Sequence, residues 1–166
     1  MSGHRKEVFL RNYDREHQTT MKVLRAYPAE KSDFRPSEKS KTAKDLAWIF
    51  VLERGLGHRV WNNEFAQGLF GKLPQPPESW DAMLAALEKA HLEFRSLVAG
   101  AADSDLDEVV RFFTGPKTMG DVTRHEFIWF LLHDQIHHRG QLSVYLRMVG
   151  ARVPSIYGPS GDEPWT

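Results

Sequence analysis

The sequence predicts an all-α protein: a four-helix bundle, with a short hairpin-like segment before the last helix and an extended C-terminal tail. Two observations carry that prediction. Four stretches place apolar residues at three- and four-residue steps, and clusters of Pro and Gly separate those stretches. With 166 residues, 41% hydrophobic and 27% charged, the chain is long enough for one domain with a real core, spanning 1–166. This composition excludes a wholly disordered, collagen-like or membrane-embedded chain.

The first helix is expected over about residues 4–27, where Val8, Leu10, Tyr13, His17, Met21 and Leu24 share a face, and Pro28 stops it. The second runs from about Thr42, a good N-cap with Asp45 three residues on, to Asn62. Its apolar face, Leu46, Ile49, Phe50, Leu56 and Val60, is interrupted by Glu53. The third starts at Ser79 or Asp81 as cap and ends at Gly100. Val109–Phe113 and Thr118–Val122 flank a Thr-Gly-Pro turn and read as a small hairpin. The fourth helix, about Asp121 to Val149, is apolar on nearly all sides, which places it in the middle of a fold or at an interface. That surplus of apolar surface predicts a two-fold homodimer. The tail 151–166 carries Val153, Ile156, Tyr157 and Trp165 among prolines, and is expected to pack back as an ordered strap, to which Trp165 would contribute up to about 3 kcal/mol if fully buried.

Lys+Arg and Asp+Glu both number 22, so the net charge is zero. Nucleic-acid binding, which requires a basic footprint, is not expected. There is no cysteine, which excludes disulfides, a protein thiolate nucleophile and cysteine-ligated metal. Residues 1–18 lack the apolar core of a signal peptide, and no apolar run approaches a membrane span, so a cytoplasmic location is expected.

Eight histidines leave His, Asp and Glu as metal ligands, and the fourth helix carries His133-Asp134-Gln135-Ile136-His137-His138-Arg139-Gly140-Gln141. His133 and His137, four apart, stack on one helix face as in H-x-x-x-H metal helices. Asp134 and His138 form a second such pair, rotated by one residue. Polar residues in so apolar a helix require partners, since each unpaired buried group costs about 1–3 kcal/mol. A divalent cation is the simplest partner, and solvated surface residues are the plain alternative. Glu53, on the apolar face of the second helix, is the candidate third ligand; its alternative is an ion pair with Arg54, Arg59 or a distant arginine. His58 is a weaker candidate. The set Glu53, His133, His137 suits zinc or nickel, with Asp134 and His138 as the alternate register and Gln141 and Arg139 supporting the ligands from behind. His17, on an apolar face, reads as a satisfied core histidine.

At HHRGQLSVYLRMVG the sequence resembles the DinB (DNA-damage-inducible, YfiT-like) superfamily, as it does at DFRPSEKSKTAKDLAWIFVLE, RFFTGPKTMGDV and VPSIYGPSGDEPW. The resemblance implies a four-helix bundle, frequently a homodimer, with a divalent metal between helices. It also points to transferases and isomerases that use a small-molecule thiol. The family usually places a ligand His on the second helix; Leu46–Phe50 here has none, and Glu53 lies one turn on. Many members place a ligand His directly before Arg-Gly-Gln, which selects His138 and its partner Asp134; others resemble the His133/His137 pair. Two readings follow: a divalent-metal-dependent enzyme using a small-molecule thiol, or a non-catalytic dimeric, stress-related binding protein with a degenerate metal site.

Overall fold

The computed structural model describes residues 4–69 and 71–166. Its four helices are α1 (His4–Ala26), α2 (Ala43–Trp61), α3 (Trp80–Gly100) and α4 (Arg124–Met148), with a two-stranded antiparallel hairpin, β1 (Val109–Gly115) and β2 (Thr118–Thr123), before α4. α1 packs against α3 and α4, and α2 packs against α3 and α4, so α1 lies diagonal to α2. Close approach of α2 and α3 depends on Gly57, where a Cβ would stand 2.6 Å from the Phe94 ring. No helix among the described residues is long and apolar enough to cross a membrane.

The helix starts follow the expected chemistry. Thr42 and Ser79 cap α2 and α3 by accepting from the amides of Asp45 and Ala82. The last helix begins three residues later than the expected Asp121, because Thr123 and Glu126 form a reciprocal capping box. Residues 121–123 belong instead to β2, paired with Val109–Arg111. The hairpin reverses at Pro116-Lys117, with Lys117 at φ 58°, rather than at Thr-Gly-Pro. Proline presets φ at the first turn position, and the positive φ of Lys117 at the second is the sign that a type II turn takes there.

The interior is layered. One apolar cluster holds Met21, Leu24, Leu46, Phe50, Met83, Leu87, Leu142 and Leu146 with their neighbours. A second holds Phe9, Tyr13, Val60, Phe94, Val98, Phe127, Leu131 and Leu132 with theirs. Between them every helix contributes buried polar residues: Glu16, His17 and Thr20 from α1, Glu53 and Arg54 from α2, His91 from α3, and Gln135 and Arg139 from α4.

The tail is a strap, as expected. Val153 and Ile156 pack on the first cluster, and Pro154 is buried. Lys22 Nζ donates to the Ser155 carbonyl and the Glu163 carboxylate, and Arg147 pairs with Asp162 at 2.6 Å. Trp165 takes no part in that burial: it is 67% exposed, with its indole N–H donating to Ser155 Oγ. The strap's main anchor is polar. Arg139, buried in α4, pairs with Glu16 Oε2 at 2.8 Å and donates to Tyr157 Oη at 2.5 Å, while Tyr157 Oη donates to Glu16 Oε2 at 2.6 Å. Burial alone would raise the Glu16 carboxyl, but these hydrogen bonds outweigh it and hold the group below its ordinary range.

Arg139→Ala leaves buried Glu16 with only the exposed Arg15 guanidinium, 3.4 Å from Oε1, as its cation, and should cost roughly 3 kcal/mol of stability. Trp165→Ala should change stability by less than about 0.5 kcal/mol. Urea unfolding of the two variants checks the contrast; equal losses would remove Arg139 as the anchor.

Candidate metal centre

The helical period decides which of the residues in His133–Gln141 meet. Successive residues turn by about 100°, so the two i,i+4 pairs face different directions. Asp134 and His138 face α2, where Glu53 projects from mid-helix. One ligand atom from each of Glu53, Asp134 and His138 lies within 4.8 Å of the others. His138 Nε2 stands 3.7 Å from Glu53 Oε1 and 3.6 Å from Asp134 Oδ2, beyond hydrogen-bonding distance of both.

His133 and His137 are exposed, and the structure does not bring them to Glu53. His133 lies beside Trp129, with ring centroids 6.0 Å apart. Of the two expected registers, the structure thus gathers Glu53 with Asp134 and His138 and not with His133 and His137. One residue of rotation points the latter pair away from α2, on the same face as exposed Phe130 and Val144.

Gln141 contacts His138 and His137. Its Oε1 lies 3.0 Å from His138 Nδ1 and its Nε2 lies 3.0 Å from His137 Nε2. An amide oxygen only accepts, so His138 Nδ1 carries the proton and Nε2 turns its lone pair toward the two carboxylates. Arg139 does not support the centre. It points the opposite way, to Glu16 and Tyr157.

Glu53 is the least satisfied group. It is 5% exposed, and neither carboxylate oxygen has a hydrogen-bond partner. The alternative of an ion pair with Arg54 does not form: Arg54, its neighbour in sequence, turns to the Phe50 carbonyl at 2.5 Å and His17 Nδ1 at 3.4 Å. Burial first, and the nearby Asp134 carboxylate second, push the Glu53 carboxyl up to about 9. A lone imidazole lone pair and two carboxylates, one of them buried without a donor, form a donor set that a cation satisfies.

The remaining histidines stand apart. His17 is a satisfied core residue, as expected: Nε2 meets Glu88 at 2.9 Å and its ring stacks on His91 at 3.7 Å. His91 meets Asp14 at 3.1 Å. Burial first holds both imidazoles below their ordinary pKa, so both are neutral. His58, the weaker candidate, lies outside the centre and packs edge-on against Phe94. Beside the centre, sequence reasoning missed a cavity of about 490 Å³, lined by Lys39, Ser40, Lys41, Leu46, His138, Gln141, Val144 and Tyr145. Only the two lysines flanking a serine signalled it, in a segment read as a plain loop.

The model of the DinB family matches residues 1–165. The chain is 26% identical over 155 residues to the uncharacterized protein YrdA of Bacillus subtilis, covering 93% of this chain and 89% of that protein. A DinB-like protein from Bacillus cereus superposes with a TM-score of 0.75 at 24% identity, covering 91% of this chain and 97% of that one. YfiT from Bacillus subtilis, described as a probable metal-dependent hydrolase with an unusual four-helix bundle topology, superposes with a TM-score of 0.62 at 13% identity, covering 90% of each chain.

The pH dependence of the metal-free protein follows from Glu53. Its folded pKa, about 9, exceeds the ordinary 4.5, so the folded state retains a proton that the unfolded chain releases. Its unfavourable contribution is absent below about 4.5 and grows as pH rises toward 9. Glu53→Gln should therefore stabilise the chelator-treated protein at pH 8 by on the order of a few kcal/mol, and leave it unchanged at pH 4.5. Thermal melts with chelator across that range check this; a pH-independent difference would show that the carboxyl is not strained by burial.

Proposed function

The chain belongs to the DinB family, and from that membership we propose that it is a divalent-metal-dependent enzyme whose metal is held by Glu53, Asp134 and His138. The observation that carries this is the buried Glu53 carboxylate, unpartnered and facing the free lone pair of His138. Fold similarity to YfiT, a probable metal-dependent hydrolase, supports the same reading. When bound, a divalent ion supplies Lewis acidity and lowers the pKa of a coordinated water or thiol. The chain's own residues do the rest. Gln141 holds the His138 tautomer, and α2 and α4 set the two carboxylates at a fixed separation. With no cysteine in the chain, the nucleophile is water or a small-molecule thiol; the thiol reading rests on the family resemblance.

Zinc or nickel was the expectation for two imidazoles and one carboxylate. One imidazole with two carboxylates is a harder set, so manganese and iron join the candidates. The competing reading, a non-catalytic binding protein with a degenerate site, draws on the absence of His from Leu46–Phe50 of α2.

Elemental analysis of the purified protein separates these. Near-stoichiometric metal is expected, falling at least tenfold in Glu53→Gln, Asp134→Asn and His138→Ala, and retained in the double variant His133→Ala, His137→Ala. Loss in the last variant with retention in His138→Ala would restore the other register. For catalysis, metal-dependent reaction of a small thiol with 1-chloro-2,4-dinitrobenzene, abolished by His138→Ala, tests the thiol route. Metal retained without turnover of thiols or hydrolysable esters favours the binding protein.

We also propose a homodimer across α4, whose outer face exposes Phe130 and Met148 at 48% and 53%. Light scattering should give about twice 19.1 kDa, and Met148→Glu should halve it; a wild-type mass of one chain at micromolar concentration would end that proposal.

A further inference from the structure

The cavity beside the metal centre has a built wall and an unbalanced charge. Its wall is the connection between α1 and α2. Tyr145 Oη donates to the Lys41 carbonyl at 3.1 Å, the Phe34 ring meets Tyr145 edge-on at 5.8 Å, and the amides of Ala43 and Lys44 donate to the carbonyls of Phe34 and Ser32. Ser37 and Ser40 hydroxyls meet at 2.9 Å and close the loop on itself. This fixes the backbone of Lys39, Ser40 and Lys41 over α4. The floor is apolar, from buried Leu46 and Tyr145 with Val144 beside them, and the inner end is His138 and Gln141.

No acidic side chain lines the cavity, although the whole chain has as many acids as bases. The ammonium groups of Lys39 and Lys41 are exposed, and neither pairs with a carboxylate among the described residues. Glu38, next to Lys39 in sequence, is exposed and does not line the cavity, and Glu53 and Asp134, the acids beside His138, are those that a divalent cation would neutralise. With that cation in place the cavity carries only positive charge, at two points separated by an apolar floor. A ligand complementary to it has an anionic end for the lysines and Ser40, a short apolar body, and a metal-coordinating end at His138.

We propose that Lys39 and Lys41 are specificity-determining residues that select an organic anion, a carboxylate or phosphate ester, as the substrate of the metal centre. The proposal rests on the metal reading for the ligand's inner end, and on the two lysines alone for its outer end. Each lysine contributes a charge-assisted contact at an exposed position, for which a loss of about tenfold in affinity per residue is expected.

The test uses the zinc-loaded protein and two probes sharing one chelating group. Succinic monohydroxamate carries a carboxylate as well, and acetohydroxamate does not. By calorimetry, wild type should prefer the succinic compound by at least tenfold. Lys39→Ala/Lys41→Ala should lose that preference while keeping its zinc and its affinity for acetohydroxamate, and Lys39→Arg/Lys41→Arg should keep both. Equal affinity of wild type for the two probes, or an unchanged preference in the alanine variant, overturns the proposal. A second arm needs no metal. Inorganic phosphate titrated into chelator-treated protein should give saturable amide shifts at residues 39–41, lost in the alanine variant. Their absence from wild type also overturns the proposal. Failure of wild type to take up zinc would overturn the metal reading instead, and the phosphate arm would still decide the lysines.

Discussion

The bundle depends on its middle layer. All four helices bring polar groups to the same height, between two apolar clusters, and each group must find a partner there or pay the cost of burial. Most do. Arg139 and Glu16 satisfy each other and take in Tyr157 from the tail. His17 and His91 stack and reach outward to Glu88 and Asp14. Exchanges across α1–α4 and α1–α3 thus lock the register of the helices, since sliding one by a turn would strand a charge in an apolar cluster. Glu53 is the carboxylate left out, with both oxygens unpartnered, while Arg54 Nε and His91 Nδ1 each leave one atom of an otherwise paired group without a partner. Opposite it stands the His138 imidazole, with Asp134 beside it, a grouping able to hold a cation.

The same layer explains how one short motif serves two ends. Consecutive residues on a helix point about 100° apart. His138 therefore faces α2 and the metal centre, while Arg139 faces α1 and the tail. Gln141, one turn beyond His137 and His138, bridges both histidines through its two amide atoms. The tail that Arg139 anchors is tied to α1 and α4, and the connection that carries Lys39 and Lys41 is tied to α4 through Tyr145. Charge on the bundle is thus local. The chain is neutral in sum, its centre is acidic and its adjoining cavity basic, an arrangement suited to a cation inside and an anion beside it.

Much was legible in the sequence because it rests on local physics. Thr42, Ser79 and the Pro/Gly clusters mark helix ends by hydrogen bonding and backbone restriction that act within a few residues. Glu53 stood out as a carboxylate among Leu46, Phe50, Leu56 and Val60, and burial made it the strained group that this placement implied. The start of the last helix was misjudged because Thr123 and Glu126 cap it reciprocally, a competition between strand and helix that apolar periodicity does not report. The exposure of Trp165 was likewise hidden: an aromatic in a tail signals packing, and here Val153, Pro154 and Ile156 supply the packing instead.

The sequence by itself determined the helices, the hairpin, the strap and the set of side chains able to bind metal, because propensity, capping and residue chemistry are properties of neighbouring residues. It left two pairs, His133/His137 and Asp134/His138, equally spaced on one helix. Only the tertiary structure decided between them, because the choice depends on how α4 is rotated about its axis relative to α2. That rotation is set by contacts distant in sequence, Arg139 with Glu16 and Leu142 and Leu146 with the apolar cluster, and no spacing within α4 encodes it. The basic cavity has the same origin: Lys39 and Lys41 gain their meaning only when Tyr145, about a hundred residues on, fixes their loop above His138.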